Sequence, residues 1–195
     1  MDRALELIES GIDTKPLMDE ISEQSWLWNV IKERQTTKGS PHHDTETIFL
    51  RWCPGSTLED IFTQIEAVDC PPLLSYLPSA RGLMETVCEL VNSRQLGRAM
   101  IVRFKPGGRI DPHIDEGQYA DYFDRFHLSL DSQEGNRFNV IEDEHNHHWV
   151  HMKPGEVWWF NHKMTHFVEN HSDEWRTHMI VDCVSPRFRG KRDAA

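Results

Sequence analysis

The spacing of hydrophobic residues changes about halfway along the chain. In the first half, apolar residues recur every three or four positions, which is the period of an amphipathic helix. This period predicts helices over three segments, 4–11 (ALELIESG), 16–35 (PLMDEISEQSWLWNVIKERQ) and 80–93 (ARGLMETVCELVNS). Gly11 and Gly97 follow the first and third segments, and we interpret them as helix stops.

From Arg98 onward the hydrophobic runs are short and rich in β-branched and aromatic residues, and turns separate them. The predicted strands are RAMIVRF, RFHLSL, RFNVIED, HHWVHM, EVWWFN, THFVEN and RTHMIVDCV, and TIFLRW at 47–52 is a further strand in the first half. This pattern is typical of a β-sandwich or barrel. Because EVWWF is apolar on both strand faces, we expect the N-terminal helices to cover the outer face of one sheet.

Composition narrows the class of protein. The 195 residues suit one domain, and 21 basic against 32 acidic residues give a net charge of −11, which disfavours nucleic acid as a partner. The basic residues cluster only in RFRGKRDAA, which we expect to be a frayed tail. The opening MDRALELIESG predicts neither a signal peptide nor a membrane span. Four cysteines without a CxxC pair predict reduced thiols and a cytoplasmic protein.

The pair His113 and Asp115 is the first candidate for chemistry. In an extended chain these residues point to the same side and could share a metal ion. A non-haem Fe(II) site needs two histidines and one carboxylate, and His166 on a later strand is the candidate third ligand. An isolated HxD pair is more often a hydrogen-bonded surface pair, so the metal site depends on the other motifs.

Arg176 follows His166 by ten positions and begins the apolar strand MIVDCV. The planar guanidinium could bind a small dicarboxylate through two parallel hydrogen bonds. An ordinary exposed strand arginine is the alternative interpretation.

Four segments, KPGGRIDPHID, RFHLSL, KPGEVWWFNHKMTHFVEN and EWRTHMIVD, together resemble the aspartyl/asparaginyl β-hydroxylase family. This family includes prolyl hydroxylases and belongs to the iron(II)- and 2-oxoglutarate-dependent oxygenases. The resemblance covers residues 98–185 and implies a mainly β fold, a double-stranded β-helix (jelly roll, cupin-like) with N-terminal helices packed on one sheet. We therefore expect one oxygenase domain over 1–195. It would comprise a helical N-terminal layer with one or more strands over 1–97, the jelly-roll core over 98–185 and a basic tail over 186–195.

The resemblance also implies roles for individual residues. His113 and His166 would bind iron, and Asp115 would complete the ligand set. Arg176 would hold the distal carboxylate of 2-oxoglutarate. Arg125 and His127, which match the family's RxH motif, would help hold the carboxylate nearer the metal.

The activity that the resemblance implies is hydroxylation of a C–H bond in an amino-acid side chain. The cofactor is Fe(II), 2-oxoglutarate and dioxygen are co-substrates, and ascorbate supports turnover. The substrate is an Asp, Asn or Pro type, either a free amino acid or a residue in a polypeptide.

Two positions depart from the mammalian aspartyl/asparaginyl hydroxylases. Those enzymes lack the carboxylate ligand, whereas Asp115 gives this chain a complete ligand set, as in the prolyl members. They also carry a serine that assists the distal arginine, where this chain has Val102. The substrate of the mammalian enzymes therefore does not transfer directly, and a second partner for the distal carboxylate is missing.

Two other functions remain open from the sequence. One is a cupin-like metalloenzyme that does not use 2-oxoglutarate, and the other is a noncatalytic interaction module on the same barrel. Three further segments are conspicuous. HNHHWVH at 145–151 predicts a hairpin with exposed imidazoles rather than a second metal site, PHHD at 41–44 could reach the mouth of the site, and YADYFD at 119–124 could face the substrate.

Overall fold

The computed structural model describes residues 4–54 and 57–192. Within them the elements are, in chain order, β1 (Leu5–Glu9), α1 (Lys15–Glu23), a 3₁₀ turn (Ser25–Leu27), α2 (Glu33–Thr36), β2 (Thr45–Trp52), α3 (Leu58–Thr63), β3 (Val68–Asp69), α4 (Pro71–Leu74), α5 (Pro78–Leu90), β4 (Leu96–Phe104), β5 (Arg109–His113), α6 (Gln118–Tyr122), β6 (Asp124–Asp131), β7 (Asn136–Ile141), β8 (His147–Val150), β9 (Val157–Phe160), β10 (Thr165–Asn170), β11 (Arg176–Cys183) and α7 (Pro186–Arg192).

Two antiparallel sheets form the molecule. The larger has seven strands in the order β1-β9-β6-β11-β4-β2-β3, and the smaller has four in the order β5-β10-β7-β8. Apolar side chains from both sheets, including Phe104, Phe138 and Phe160, form a cluster between them. Each of the eight strands predicted from the sequence is present, and β5 is an additional one next to the candidate site.

Helices cover the outer face of the seven-stranded sheet, as its apolar strands predict. Leu17 of α1 and Met84 of α5 are fully buried in one cluster with Val157 and Trp159 of β9. Trp159 also stacks on Phe188 of α7, with ring centroids 5.0 Å apart. None of the described helices is long and apolar enough to cross a membrane.

The predicted helix over 4–11 is wrong, because Leu5–Glu9 within it form β1. Leu5 pairs with Phe160 and Leu7 with Trp158, so β1 supplies the backbone partners at the edge of β9. A helix of this length gains little by itself, and strand pairing with the rest of the fold outweighs its helical period.

The single helix predicted over 16–35 is also wrong. α1 ends at Glu23, and Asn29 takes a left-handed backbone conformation with φ of 57°. The backbone N–H of Asn29 donates to the Thr47 carbonyl, and its side-chain oxygen accepts from the Thr47 N–H, each at 3.0 Å. These bonds tie the chain to β2 and bring the following residues, including Arg34, to the candidate site.

The third predicted helix is confirmed as α5, but Gly97 does not end it. Gly97 lies inside β4, where a Cβ would stand 2.6 Å from the hydroxyl oxygen of Tyr119 and 2.8 Å from the ring of Phe123. The glycine is needed there because α6 packs directly on the β4 backbone.

The frayed basic tail is wrong for residues 186–192, which form α7. Phe188 is fully buried and packs edge-on against Phe126 as well as on Trp159. Phe188 is the apolar residue among these basic ones that anchors α7 to the sheet. Residues 193–195 lie outside the described part of the chain.

Candidate active site

The three predicted metal ligands meet at one end of the smaller sheet. His113 ends β5 and pairs directly across the ladder with His166 of β10. Asp115 lies two residues beyond β5, and its backbone N–H donates to the His162 carbonyl at 3.0 Å. Strand pairing and this one loop hydrogen bond therefore bring together groups that are 53 positions apart in sequence.

The ligand atoms are close enough to share one ion. His113 Nε2 lies 3.8 Å from Asp115 Oδ1, and His166 Nε2 lies 4.0 Å from Asp115 Oδ2. One ligand atom from each residue lies within 4.8 Å of the other two. In the part of the chain that the structure describes, no other cluster of three or more His, Cys, Asp or Glu has this geometry.

Backbone carbonyls fix the orientation of both imidazoles. His113 Nδ1 lies 2.7 Å from the Asp111 carbonyl, and His166 Nδ1 lies 3.0 Å from the Met164 carbonyl. Because a carbonyl oxygen can only accept, each Nδ1 carries the proton and each Nε2 presents its lone pair to the site. Metal-bound histidines are commonly oriented in this way, by a hydrogen bond from the ring nitrogen that does not bind the metal.

The protonation states also fit a metal. Burial lowers the pKa of His166 to about 3 and lowers the pKa of His113, so both rings are neutral at pH 7. Burial alone would raise the pKa of Asp115, but the charge on Arg125 outweighs it and holds that pKa well below its usual range. Two neutral imidazoles and one ionised carboxylate form the donor set of non-haem Fe(II) sites.

Arg125 connects Asp115 to the larger sheet. Its Nη1 lies 2.7 Å from Asp115 Oδ2, and its Nε and Nη2 lie 2.8 and 2.9 Å from the two oxygens of Asp182 on β11. This bidentate pair holds the guanidinium in place, and the guanidinium orients Asp115. Contact between Arg125 and a co-substrate stays a prediction.

His127 and Arg176 lie in the interior between the two sheets. His127 is buried, with its ring 5.1 Å from that of Phe138 on the smaller sheet. Arg176 is 3% exposed, and its guanidinium lies 5.3 Å from the ring of Phe104. Burial lowers the pKa of Arg176 to about 9, and among the described residues no carboxylate forms an ion pair with it. A buried cation of this kind could hold an anionic ligand.

His178 is a site residue that the sequence analysis missed. Arg176 Nη2 lies 2.9 Å from His178 Nδ1, and because a guanidinium cannot accept, His178 must carry its proton on Nε2. That Nε2 is buried without a hydrogen-bond partner in the described structure, and so is Nδ1 of His127. His178 also lies opposite Val102 in the β11–β4 ladder, where the missing serine would be. The i, i+2 spacing of Arg176 and His178 in the sequence RTH indicates that both side chains lie on one face of a strand. The pairing of His178 with Val102 is seen only in the structure.

A cavity of about 410 Å³ opens on the other side of the triad. His113, Asp115 and Arg125 form its floor, and the segment 37–42 forms one side. The expected proximity of PHHD to the site is found, since the His42 ring centroid lies 5.0 Å from that of His113. Much of the remaining wall is apolar or aromatic, from Trp52, Ile61, Phe62, Met100 and Tyr119.

The segment YADYFD contributes part of this wall. Tyr119 of α6 is buried, and its hydroxyl accepts a hydrogen bond from the Arg98 backbone N–H at 2.6 Å. The Arg98 guanidinium lies 3.6 Å from the Tyr119 ring and 4.8 Å from the Trp52 ring, and it donates to backbone carbonyls of 60–64. Arg98 therefore holds α3 and α6 together around the cavity.

The histidine-rich segment 145–151 forms the β7–β8 hairpin, as the sequence predicts. His147 Nε2 lies 3.1 Å from the amide oxygen of Asn139, and His148 Nε2 lies 3.2 Å from a carboxylate oxygen of Glu142. The described hairpin residues do not gather into a metal-ligand group.

The fold is a two-sheet β-sandwich, and at one end of its smaller sheet lies a His-Asp-His group with the donor set of a 2-His-1-carboxylate metal site. Residues 27–186 match the aspartyl/asparaginyl beta-hydroxylase family. The chain therefore belongs to this family, as the four sequence motifs predict.

One curated relative is the L-proline cis-4-hydroxylase of Rhizobium meliloti (strain 1021), which is 31% identical over 144 residues. The match covers 73% of this chain and 49% of the relative, so the chain spans about half the length of that protein.

Solved structures show the same fold at low sequence identity. A Trichoplax adhaerens prolyl hydroxylase, solved with a hypoxia inducible factor peptide fragment, has a TM-score of 0.60 at 11% identity, covering 96% of this chain and 86% of its own. A 2OG-Fe(II) oxygenase family protein from Burkholderia pseudomallei has a TM-score of 0.55 at 15% identity, covering 85% and 77%. The predicted double-stranded β-helix is confirmed.

Proposed function

We propose that this protein is an Fe(II)- and 2-oxoglutarate-dependent hydroxylase that acts on an amino-acid side chain. The observation that carries the proposal is the pairing of two sites in one interior. One is a group of three metal-ligating residues whose ligand atoms lie within 4.8 Å of one another, and the other is a buried Arg176 without an acidic partner among the described residues. A metal site alone would suit many reactions, whereas a metal site with a buried anion site suits a metal-bound dicarboxylate.

When bound, iron and 2-oxoglutarate couple the reduction of dioxygen to oxidation of a substrate C–H bond, and 2-oxoglutarate is converted to succinate and carbon dioxide. The ligand residues His113, Asp115 and His166 would hold the metal. Arg125 keeps Asp115 ionised and oriented through its contact with Asp182. The protein needs to supply a fixed ligand geometry and a cavity that shields the reacting carbon from water.

The co-substrate would lie between the sheets. Arg176 would bind the distal carboxylate with His178 Nε2–H as the second donor, in place of the missing serine. Both groups are buried; His178 Nε2 has no hydrogen-bond partner and Arg176 has no carboxylate partner among the described residues, which supports this assignment. His127, with its unpartnered Nδ1, would contact the carboxylate nearer the metal, and Arg125 would support it there.

The substrate would be an amino acid of the Asp, Asn or Pro type, free or within a polypeptide. The family match and the similarity to a protein named for L-proline hydroxylation support this class. We also propose a cytoplasmic location, which is supported by four cysteines that form no disulfide in the described structure.

Succinate formation tests the proposed function. Purified protein is supplied with Fe(II), ascorbate, dioxygen and 2-oxoglutarate, first alone and then with amino-acid and peptide pools. We expect iron-dependent succinate formation that a pool stimulates. We expect the rate of succinate formation in Asp115→Ala to fall at least about 100-fold, since that variant removes a metal ligand and leaves Arg125 without its carboxylate partner at the site.

Asp173→Ala, at an exposed loop position, is the matched control and should behave as the wild type. If the protein neither binds nor consumes 2-oxoglutarate under any of these conditions, the proposal is wrong. A cupin-like metalloenzyme or a noncatalytic module would then be the better description.

A further inference from the structure

The cavity beside the triad contains a second arginine without an acidic partner. Arg34 follows the Asn29 turn and lines the cavity together with His42. Its Nη1 lies 3.3 Å from the sulfur of Met100, and its Nη2 lies 3.1 Å from His42 Nε2. Both neighbours are neutral acceptors, and in the described part of the chain no carboxylate forms an ion pair with Arg34.

The contact with Arg34 determines which nitrogen of His42 carries the proton. A guanidinium only donates, so His42 Nε2 accepts and Nδ1 carries the hydrogen. This Nδ1 is buried and has no hydrogen-bond partner among the described residues. His42 therefore has a donor that the protein does not satisfy, beside an Arg34 charge without an acidic partner, and a buried donor without an acceptor is costly.

The surrounding charges also favour an anion. The carboxylates of Asp115 and Asp182 both bind Arg125, so neither is available to Arg34. Burial, and then the charge on Arg125, lowers the pKa of Arg34 to about 10. An anion bound at Arg34 would relieve this repulsion.

The Arg34 guanidinium is positioned by its contacts with Met100 and His42, and hydrogen bonds also hold the backbone around it. The Ser40 hydroxyl donates to the Arg34 carbonyl at 2.6 Å, and the Gln35 side chain donates to the Thr47 hydroxyl at 2.9 Å. A group fixed in this way loses little conformational entropy when a ligand binds.

We propose that Arg34 and His42 form a carboxylate subsite, and that it makes the substrate a free amino acid rather than a residue inside a polypeptide. This inference rests on the proposed hydroxylase function. A free amino acid presents an α-carboxylate, whereas a residue within a chain presents a neutral amide. The cavity volume of about 410 Å³ suits a small ligand, and the apolar wall receives its side chain beside the metal ligands.

The first test compares acids with amides and requires no variant. Binding of individual L-amino acids and of the matching L-amino-acid amides is measured by calorimetry on anaerobic protein loaded with Fe(II) and 2-oxoglutarate. We expect free acids to bind roughly tenfold to a hundredfold more tightly than their amides, the range for loss of a charge-assisted hydrogen bond. If amides bind as tightly as acids, or if neither series binds, the subsite proposal is wrong.

The second test locates the preference at Arg34. Arg34→Met should remove most of the acid-over-amide preference, whereas a purely structural role would weaken both series equally. Arg34→Lys keeps the charge without the planar fork and should retain part of the preference. Lys32→Met removes an exposed positive charge two residues away and should keep the wild-type preference. An unchanged preference in Arg34→Met would overturn the proposal.

Succinate formation without added substrate separates this inference from the function itself. Iron-dependent consumption of 2-oxoglutarate in a protein that does not distinguish acids from amides would contradict the carboxylate subsite alone. Acid-selective binding that disappears in Arg34→Met would support the subsite even if turnover is slow.

Discussion

In each of four histidines around the site, one hydrogen bond to a neighbouring group determines which ring nitrogen carries the proton. Backbone carbonyls hold the proton of His113 and His166 on Nδ1, which leaves Nε2 for a metal. His178 and His42 each accept a hydrogen bond from an arginine guanidinium. Their other ring nitrogen therefore carries the proton and can donate to a ligand. The same side chain therefore presents either a lone pair or an N–H to the site according to one hydrogen bond.

Replacing Arg176 tests the co-substrate site at the scale of one residue. Arg176→Gln keeps some hydrogen-bonding capacity but loses the charge and the fork. We expect the KM for 2-oxoglutarate to rise roughly tenfold to a hundredfold, as for the loss of a charge-assisted hydrogen bond. Succinate formation as a function of 2-oxoglutarate concentration measures the effect.

Arg137→Gln is the matched control, because Arg137 is exposed on β7 and stacks on Trp149. A KM for 2-oxoglutarate in Arg176→Gln that equals the control value would assign the distal carboxylate to another group.

Sequence motifs could predict the triad and Arg176, but not their partners. The pair His113 and Asp115 is local, and the ten-residue spacing from His166 to Arg176 is part of the family resemblance. The roles of His178 and Arg34 depend on contacts between separate elements. Arg34 in particular comes to the site because Asn29 bonds to Thr47, and periodicity does not reveal that contact.

At the scale of elements, the errors of the sequence analysis share one cause. Segment 4–11 and segment 16–35 both have helical periodicity, but backbone partners elsewhere in the fold redirect them. β9 pairs with the first segment, and β2 interrupts the second at Asn29. The β-rich second half was predicted more accurately because its strand period and its many turns indicate the same structure.

The C-terminal helix gives a prediction at this scale. Phe188→Ala should lower the free energy of unfolding by about 3–5 kcal/mol, because a fully buried ring is removed from between Trp159 and Phe126. Equilibrium urea denaturation measures the change.

Arg187→Ala is the control, because the exposed Arg187 pairs with Glu6 at the surface and should contribute less than about 1 kcal/mol. Equal stabilities for the two variants would mean that α7 does not dock on the sheet.

At the scale of the whole molecule, the residues of the candidate site come from both sheets. The proposed metal ligands His113 and His166 belong to the smaller sheet, and Arg125, His127 and Arg176 belong to the larger one. Packing of the sheets against each other therefore assembles the site. The sequence could predict that two sheets form, but their facing registers follow only from the folded structure.

Metal binding should therefore stabilise the whole fold, since it joins residues that unfolding separates. At a metal concentration 100 times the dissociation constant, the expected gain is about 2.7 kcal/mol. For a domain of this size that corresponds to roughly 5–10 °C in Tm. Anaerobic thermal unfolding with Fe(II), and again after chelation, measures it.

Asp115→Ala should show a much smaller shift between the two conditions. A wild-type Tm that does not depend on the metal would mean that the three ligands do not form a binding site in solution.

β11 places a constraint on how this protein can change during evolution. Arg176, His178 and Asp182 lie on one face of that strand, and Asp182 is joined through Arg125 to Asp115, a proposed metal ligand. Substitutions can alter these residues one at a time. An insertion or deletion of one residue within the strand would turn part of this set toward the helices and disconnect both ligand sites at once. Changes in chain length among functional descendants should therefore be confined to the loops, where they reshape the cavity mouth and leave this strand intact.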